Sequence, residues 1–177
     1  MEDLPPIGPG DHTSYMRFAL SQASRSEPKP TNFRVGAVLV DETTNTILAT
    51  GFTLELPGNT HAEQCCLAKY ADHRNLPLER IGEALPNTTV LYTTMEPCNK
   101  RASGNIPCTE RILDTRRDGR VGIQRVYHGV TEPETFIGEN RGRARLEEAG
   151  IQYIHVPGFE TEILEIATAG HVQVDAG

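Results

Sequence analysis

The chain lacks the usual features of a membrane protein and of a nucleic-acid binder. Its 177 residues contain no run of eighteen apolar side chains, so no membrane-spanning helix is predicted. Basic residues are fewer than acidic ones, 17 against 24, and the formal net charge is −7, whereas nucleic-acid binders usually carry a basic surface. We therefore expect partners that are neither membranes nor nucleic acids.

The sequence also lacks internal repeats, low-complexity tracts and any linker long enough to divide it, and its length suits a single core. The first ten residues, MEDLPPIGPG, have neither the basic start nor the apolar stretch of a signal peptide. We predict a flexible arm over residues 1–10, one domain over residues 11–177, and a cytoplasmic location.

Cysteines are few, and none of the four belongs to a C-x-x-C pair. In a reducing compartment such cysteines are thiols or metal ligands rather than disulfides. Cys65 and Cys66 fall in a predicted helix, where core packing explains them. Cys98 and Cys108 lie in sequence rich in Pro, Gly and Asn, where burial as apolar side chains is a poorer explanation. The second pair therefore suggests a metal site.

Hydrophobic periodicity predicts alternating strands and helices. The first helix begins at Asp11 or Thr13, both competent N-caps, and ends before Pro28. The predicted strands are residues 33–41, 47–53, 88–94, 125–130 and 151–156, and the later helices are 61–72, 109–117, 143–150 and 160–170. Residues 73–87 are predicted to form a polar connection. The alternation indicates an α/β sandwich with a partly parallel sheet.

Three residues of the types that bind zinc lie at the boundaries of these predicted elements. His61 begins the second helix, Cys98 follows the third strand, and Cys108 opens the third helix. Strand ends and helix starts converge at one edge of an α/β sheet, and three N or S ligands with a fourth position open make a catalytic zinc site. The alternative is a structural site, which needs a fourth ligand such as Cys65 or Cys66.

Glu63 follows His61 by two residues, too close on the same helical turn to be a comfortable further ligand. From there it can reach a water at the open position and act as general acid and base. The alternative is an acidic first-turn residue that the helix dipole favours. Beside the three ligand candidates, the catalytic role is favoured.

The segments HAE and EPC, followed by a later cysteine, resemble the cytidine deaminase superfamily, whose zinc enzymes share the signature H-x-E…P-C-x-x-C. Here nine residues separate Cys98 from Cys108, where the signature has two. Such an insertion resembles the deaminases of riboflavin biosynthesis. The segments most similar to the fungal branch are TNFRVGAVLV, GNTHAEQC, TTMEPCNKRASGNIPC, GVTEPETFIGENRGRARLEEAGI and EILEIATAGH.

This resemblance implies a three-layer α/β/α sandwich around a mixed five-stranded sheet, with Zn²⁺ as cofactor and a homodimer as assembly. It also implies hydrolytic deamination of 2,5-diamino-6-ribitylamino-4(3H)-pyrimidinone 5′-phosphate, in which water replaces the C2 amine and ammonia leaves. Alternative substrates are a nucleoside, a deoxynucleotide or a tRNA base, and the alternative of another class is a non-catalytic zinc-stabilised domain. The absence of the short cysteine spacing disfavours the alternative substrates. The intact Glu63 disfavours a non-catalytic domain, because a structural zinc site needs no carboxylate there.

Predicted substrate contacts lie before the first strand, before the second helix and in the inserted loop. The resemblance places a pyrimidine-holding asparagine at Asn32, and Asn59 is close enough along the chain to reach the base as well. The alternative for both is an ordinary turn residue. In the loop, Lys100 and Arg101 offer cations, and the stretch that includes Asn105 offers backbone N–H groups, so these residues are predicted to bind the phosphate. The alternative is that Lys100 and Arg101 are merely a solvated basic pair.

Other charged and titratable residues are predicted to be structural. A salt-bridged surface helix is expected where arginines precede glutamates, at Arg141, Arg143, Arg145, Glu147 and Glu148. His128 and His155 fall in predicted strands and are expected to be packed rather than catalytic.

Overall fold

The computed structural model describes residues 4–132 and 141–172. Within them, five strands form one mixed sheet in the order β2-β1-β3-β4-β5. β1 is antiparallel to β2 and β3, whereas β4 is parallel to β3 and β5. The strands are β1 (Gly36–Asp41), β2 (Thr46–Phe52), β3 (Thr89–Met95), β4 (Ile123–Val130) and β5 (Gln152–His155). The predicted mixed five-stranded sheet is confirmed.

Five α-helices flank this sheet in the described part of the chain. They are α1 (His12–Ala23), α2 (Ala62–His73), α3 (Cys108–Asp114), α4 (Gly142–Glu148) and α5 (Glu160–Ala167). α1 and α5 pack on one face of the sheet, and α2, α3 and α4 pack on the other, which makes the predicted three-layer sandwich. No described helix is long and apolar enough to cross a bilayer.

Strand alternation divides the core between the two faces. Val38 and Tyr92 point towards the layer of α1, where they pack with Met16, while Leu39 and Leu91 point towards the layer of α2. Successive side chains of a strand face opposite sides of the sheet, and here helices cover both sides. Every residue of β1 and β3 is therefore buried, including three threonines of β3, Thr89, Thr93 and Thr94.

The first strand begins at Gly36 rather than at residue 33. The backbone N–H groups just before Gly36 form hydrogen bonds outside the sheet. Arg34 N–H donates to the carbonyl of Ala167 at the end of α5, and Val35 N–H donates to Thr53 Oγ1. Gly36 lies directly beneath α1, since a Cβ there would come within 1.9 Å of the Ala19 carbonyl oxygen. This close approach requires glycine.

The predicted polar connection contains a 3-10 helix, Leu78–Glu83. Ile81 and Leu85 are buried in the core layer of α2, so apolar side chains anchor this connection to the core. At the chain ends, residues 1–3 of the predicted arm and residues 173–177 of the predicted domain lie outside the described residues. So do residues 133–140, which belong to a segment that carries the family resemblance. The flexibility of the arm stays a prediction.

Candidate active site

The candidate site lies where β3 ends and where α2 and α3 begin. His61 is the N-cap of α2, with an extended backbone (φ −92°, ψ 159°), and its side chain makes no capping hydrogen bond to the helix. Cys98 follows the last residue of β3, Met95, and Cys108 is the first residue of α3. The fold thus brings together the three residues whose types and positions predicted a metal site.

The three side chains converge to the spacing of zinc ligands. His61 Nδ1 lies 3.5 Å from Cys98 Sγ and 3.4 Å from Cys108 Sγ, and all three atoms lie within 4.8 Å of one another. Tetrahedral zinc, with bonds of about 2.3 Å to sulfur and about 2.0–2.1 Å to nitrogen, places such N and S atoms about 3.5 Å apart. One imidazole and two thiolates at this spacing fit Zn²⁺.

The other two cysteines lie in the core. Cys65 and Cys66 are fully buried in α2, as predicted. Cys66 Sγ donates towards the carbonyl oxygens of Ala37 and Ala49 on the neighbouring strands. Neither thiol belongs to the metal-binding group found among the described residues, so a four-ligand structural site has no support in this geometry.

Hydrogen bonds between the two ligand cysteines shift their pKa values in opposite directions. Bonding from Cys108 lowers the pKa of Cys98 to about 4. The backbone N–H of Cys108 contributes by pointing at Cys98 Sγ, 3.4 Å away. Donation to Cys98 and burial together raise the pKa of Cys108. A bound cation deprotonates the thiols that coordinate it, so both sulfur atoms would bind zinc as thiolates.

Glu63 lies in the first turn of α2, only 3% exposed. Its Oε1 lies 3.3 Å from Thr93 Oγ1, and its Oε2 lies 3.3 Å from Cys108 Sγ. Burial raises the pKa of this carboxyl above its ordinary value. A raised pKa moves a carboxyl towards the range in which general acids and bases operate at neutral pH.

A cavity of about 220 Å³ opens over this cluster. Its wall includes Glu63 and four of the predicted substrate contacts, Asn32, Asn59, Lys100 and Arg101. The two asparagines meet across the cavity entrance, where Asn32 Nδ2 donates to Asn59 Oδ1 at 3.1 Å. The fifth predicted contact, Asn105, is exposed and does not belong to the described wall.

The predicted basic pair of the inserted loop divides into two different environments. Lys100 is exposed at the cavity rim. Arg101 is only 7% exposed, and its guanidinium donates to Gln64 Oε1 at 3.2 Å and to the carbonyl oxygen of Asn59. Arg101 therefore ties the loop to the start of α2, and the alternative of a solvated pair is wrong for this residue.

Sequence reasoning missed several residues of the cavity wall, among them Phe33, Thr53, Met95, Glu96 and Glu132. Glu96 accepts the backbone N–H of Glu132 at 2.6 Å and the hydroxyl of Tyr153 at 3.1 Å, and burial raises its pKa. Two of these residues could have been identified from the sequence, because Glu96 and Glu132 each lie two residues after the end of a predicted strand, residues 94 and 130.

A sandwich with one imidazole, two sulfur ligands and a buried glutamate at a sheet edge defines a zinc-binding hydrolase of the deaminase type. Residues 9–124 match the family described as the cytidine and deoxycytidylate deaminase zinc-binding region. The chain belongs to this family.

Among known proteins, the chain is similar to fungal and bacterial pyrimidine deaminases. It is 36% identical over 163 residues to the diaminohydroxyphosphoribosylamino-pyrimidine deaminase of Schizosaccharomyces pombe. The aligned region covers 92% of this chain and 36% of that protein, so this chain spans about a third of that relative's length. The crystal structure of a C-terminal deletion mutant of Aspergillus oryzae Rib2 deaminase in complex with DARIPP is 51% identical, with a TM-score of 0.82 over 90% of this chain and 91% of that chain. A Thermotoga maritima diaminohydroxyphosphoribosylaminopyrimidine deaminase/5-amino-6-(5-phosphoribosylamino)uracil reductase is 26% identical, with a TM-score of 0.65 over 89% of this chain and 39% of that chain.

Proposed function

We propose that this chain catalyses the hydrolytic deamination of 2,5-diamino-6-ribitylamino-4(3H)-pyrimidinone 5′-phosphate in riboflavin biosynthesis. The main observation behind this proposal is the buried carboxyl of Glu63, which lies beside the cluster of His61, Cys98 and Cys108 at the cavity. Similarity to the Aspergillus oryzae Rib2 deaminase over nearly the whole of both chains supports the substrate class.

His61 Nδ1 and the sulfur atoms of Cys98 and Cys108 would hold the zinc beside the cavity. A zinc ion in such a site lowers the pKa of a water ligand to about 7 and makes it nucleophilic near neutral pH. Glu63 does not belong to the metal-binding group found among the described residues, which leaves its carboxyl available for proton transfer.

Glu63 would carry protons through the reaction. It accepts a proton from the attacking water and passes it to the pyrimidine nitrogen next to C2, which makes that carbon more electrophilic. Glu63 then takes up the second proton of the water, from the new hydroxyl on C2, and delivers it to the amine. The C–N bond breaks, the amine leaves as ammonia, and the hydroxyl becomes the C2 carbonyl. Burial raises the pKa of Glu63 and so favours its protonated form, whereas donation from Thr93 Oγ1 at 3.3 Å favours the ionised form.

Asn32 and Asn59 would bind the pyrimidine, and Lys100 would bind the phosphate. The amide groups of the asparagines offer both donors and acceptors to the ring edge. Lys100 presents an exposed cation at the rim of the same cavity, where a phosphorylated chain leaves the buried ring. Asn105 remains proposed as a further phosphate contact on the exposed part of the loop, and Arg101 supports it by positioning the loop.

We further propose a homodimer in the cytoplasm that does not bind nucleic acid. The net charge of −7 disfavours a polyanionic partner, and thiolate ligands suit a reducing compartment. Light scattering coupled to size-exclusion chromatography would give the mass of the assembly, and a monomer would contradict the dimer.

Ammonia release from a panel of substrates tests the proposed reaction. The panel contains the ribitylamino phosphate, its phosphoribosylamino counterpart, cytidine and deoxycytidylate, each assayed with the wild type and with Glu63→Gln. We expect turnover of the ribitylamino phosphate well above the others, and its loss in the variant. Preference for cytidine or deoxycytidylate would refute the proposed substrate. If zinc-loaded protein turned over none of the compounds, the proposal that the chain is a deaminase would be refuted.

A further inference from the structure

The loop between the two sulfur ligands needs support from outside itself. Its middle, residues 102–106, is exposed, so the loop gains little from its own packing. A nine-residue connection has more conformations to lose on closure than a two-residue one. The two cysteines are thus less confined by covalent connection than in the short motif, and other contacts must fix their separation.

Arg145 of α4 bridges the two ends of this loop. Its Nη1 donates to Asn99 Oδ1 at 3.1 Å, and its Nη2 forms an ion pair with Glu110 Oε1. Asn99 directly follows Cys98, and Glu110 is two residues after Cys108. A guanidinium is planar and presents its donors at a fixed spacing, so both contacts are made in a single geometry.

The neighbouring arginine shows that this arrangement is specific. Arg143 forms the exposed i,i+4 ion pair with Glu147 that the sequence predicts for a salt-bridged surface helix. Arg145 departs from that prediction, because it reaches across to the loop and to α3. Leu146, the next residue, is fully buried, which anchors α4 and makes it a firm base for the bridge.

We infer that Arg145 is a positioning residue of the zinc site, holding the segments that carry both sulfur ligands at the separation the ion requires. The inference rests on the proposed zinc ligands and not on the substrate. Outer contacts of this kind are worth about 10–100-fold in metal affinity. We expect the lower end, because Arg145 is 38% exposed and the N–H groups of Cys108 and Thr109 also bond to Cys98.

Zinc release to an excess of chelator, followed with a chromogenic indicator well below the unfolding temperature, tests this role. Arg145→Met removes both the charge and the paired donors of the guanidinium. Arg145→Lys keeps the charge but cannot bond to Asn99 and Glu110 with donors at the fixed spacing of a guanidinium. Arg117→Met is the matched control, since it breaks another ion pair with α3, to Asp114, at the end of the helix away from the loop. Visible spectra of the cobalt-substituted proteins report the ligand geometry independently of activity.

We expect both Arg145 variants to release zinc about tenfold faster than the wild type and to show altered cobalt–thiolate bands. Arg117→Met should match the wild type in both measurements. Release from Arg145→Lys at the wild-type rate, or a lower melting temperature of Arg145→Met without faster release, would overturn the inference. A wild type that holds zinc yet deaminates nothing would refute the proposed function alone, because the release rates are compared without substrate.

Discussion

Thr93 Oγ1 on β3 lies 3.3 Å from Glu63 Oε1 on α2, linking the centre of the sheet to the proposed acid–base group. The same hydroxyl lies 2.8 Å from the carbonyl oxygen of Met95. A hydroxyl has one proton to donate and rotates to suit its partners. Thr93 can donate to ionised Glu63, or donate to Met95 and accept from protonated Glu63. The site therefore accommodates both states of the carboxyl.

The first prediction concerns Glu63→Gln, which keeps the size and polarity of the side chain but cannot transfer a proton. We expect kcat to fall by about 10²–10⁴, the usual contribution of general acid–base catalysis. Zinc content should remain near that of the wild type, because Glu63 is not a proposed ligand. Steady-state assays and elemental analysis measure both. Glu83→Gln, an exposed carboxyl paired with Arg80, is the control and should change neither. Retained activity, or loss of zinc, in Glu63→Gln would show the assignment to be wrong.

Removal of any proposed ligand should remove the metal. We expect one zinc per chain in the wild type, and loss of zinc and activity together in His61→Ala, Cys98→Ala and Cys108→Ala, because two ligands hold the ion poorly. Cys66→Ala is the control: it removes a buried thiol that bonds to core carbonyls, so it should lower stability and keep the zinc. Zinc retained by Cys98→Ala, or lost by Cys66→Ala, would contradict this ligand set.

The two basic residues of the loop should differ in their effect on substrate binding. Lys100→Met should raise KM for the phosphorylated substrate about tenfold, the lower end for a hydrogen bond to a charged group, and leave KM for the dephosphorylated form nearly unchanged. Arg101→Met should raise KM for both forms alike, because Arg101 supports Asn59 and Gln64. Assays with the two substrates separate these patterns. If Lys100→Met raised KM equally for both forms, the prediction that Lys100 binds the phosphate would be wrong.

The stability of the protein should fall in mild acid through His128. Burial lowers the pKa of this residue to about 4, from an ordinary value of 6.5. Between those values the unfolded chain binds more protons at this position than the folded chain, so the free energy of unfolding decreases as the pH falls. Above pH 6.5 both states are neutral there and the effect disappears.

Thermal unfolding at pH 7.5 and pH 5 measures this dependence. His128→Phe keeps an aromatic ring against Tyr153, whose centroid lies 4.3 Å from that of His128, but cannot titrate. We expect the melting temperature of the wild type to drop further between the two pH values than that of the variant. His73→Gln, a change at an exposed histidine, should behave like the wild type. Equal drops in the wild type and in His128→Phe would contradict the prediction.

The sequence by itself determined the sandwich and the chemical core of the site. Period-two and period-3.6 patterns depend on nearest neighbours along the chain, and they predicted the strands and helices within a few residues. The identities of His61, Cys98, Cys108 and Glu63 carry chemistry that few other side chains can supply. Their positions at the ends of predicted elements were enough to expect them at one sheet edge.

Only the tertiary structure decided what the long charged side chains contact. Nothing in the local sequence distinguishes Arg101 from Lys100, or Arg145 from Arg143. Arg101 and Arg145 nevertheless donate hydrogen bonds to distant segments, whereas Lys100 is exposed and Arg143 forms its ion pair within α4. Flexible side chains reach partners set by the packing of separate elements, and Arg145 and Asn99 are 46 positions apart. The roles of such residues follow from distances that no local pattern encodes.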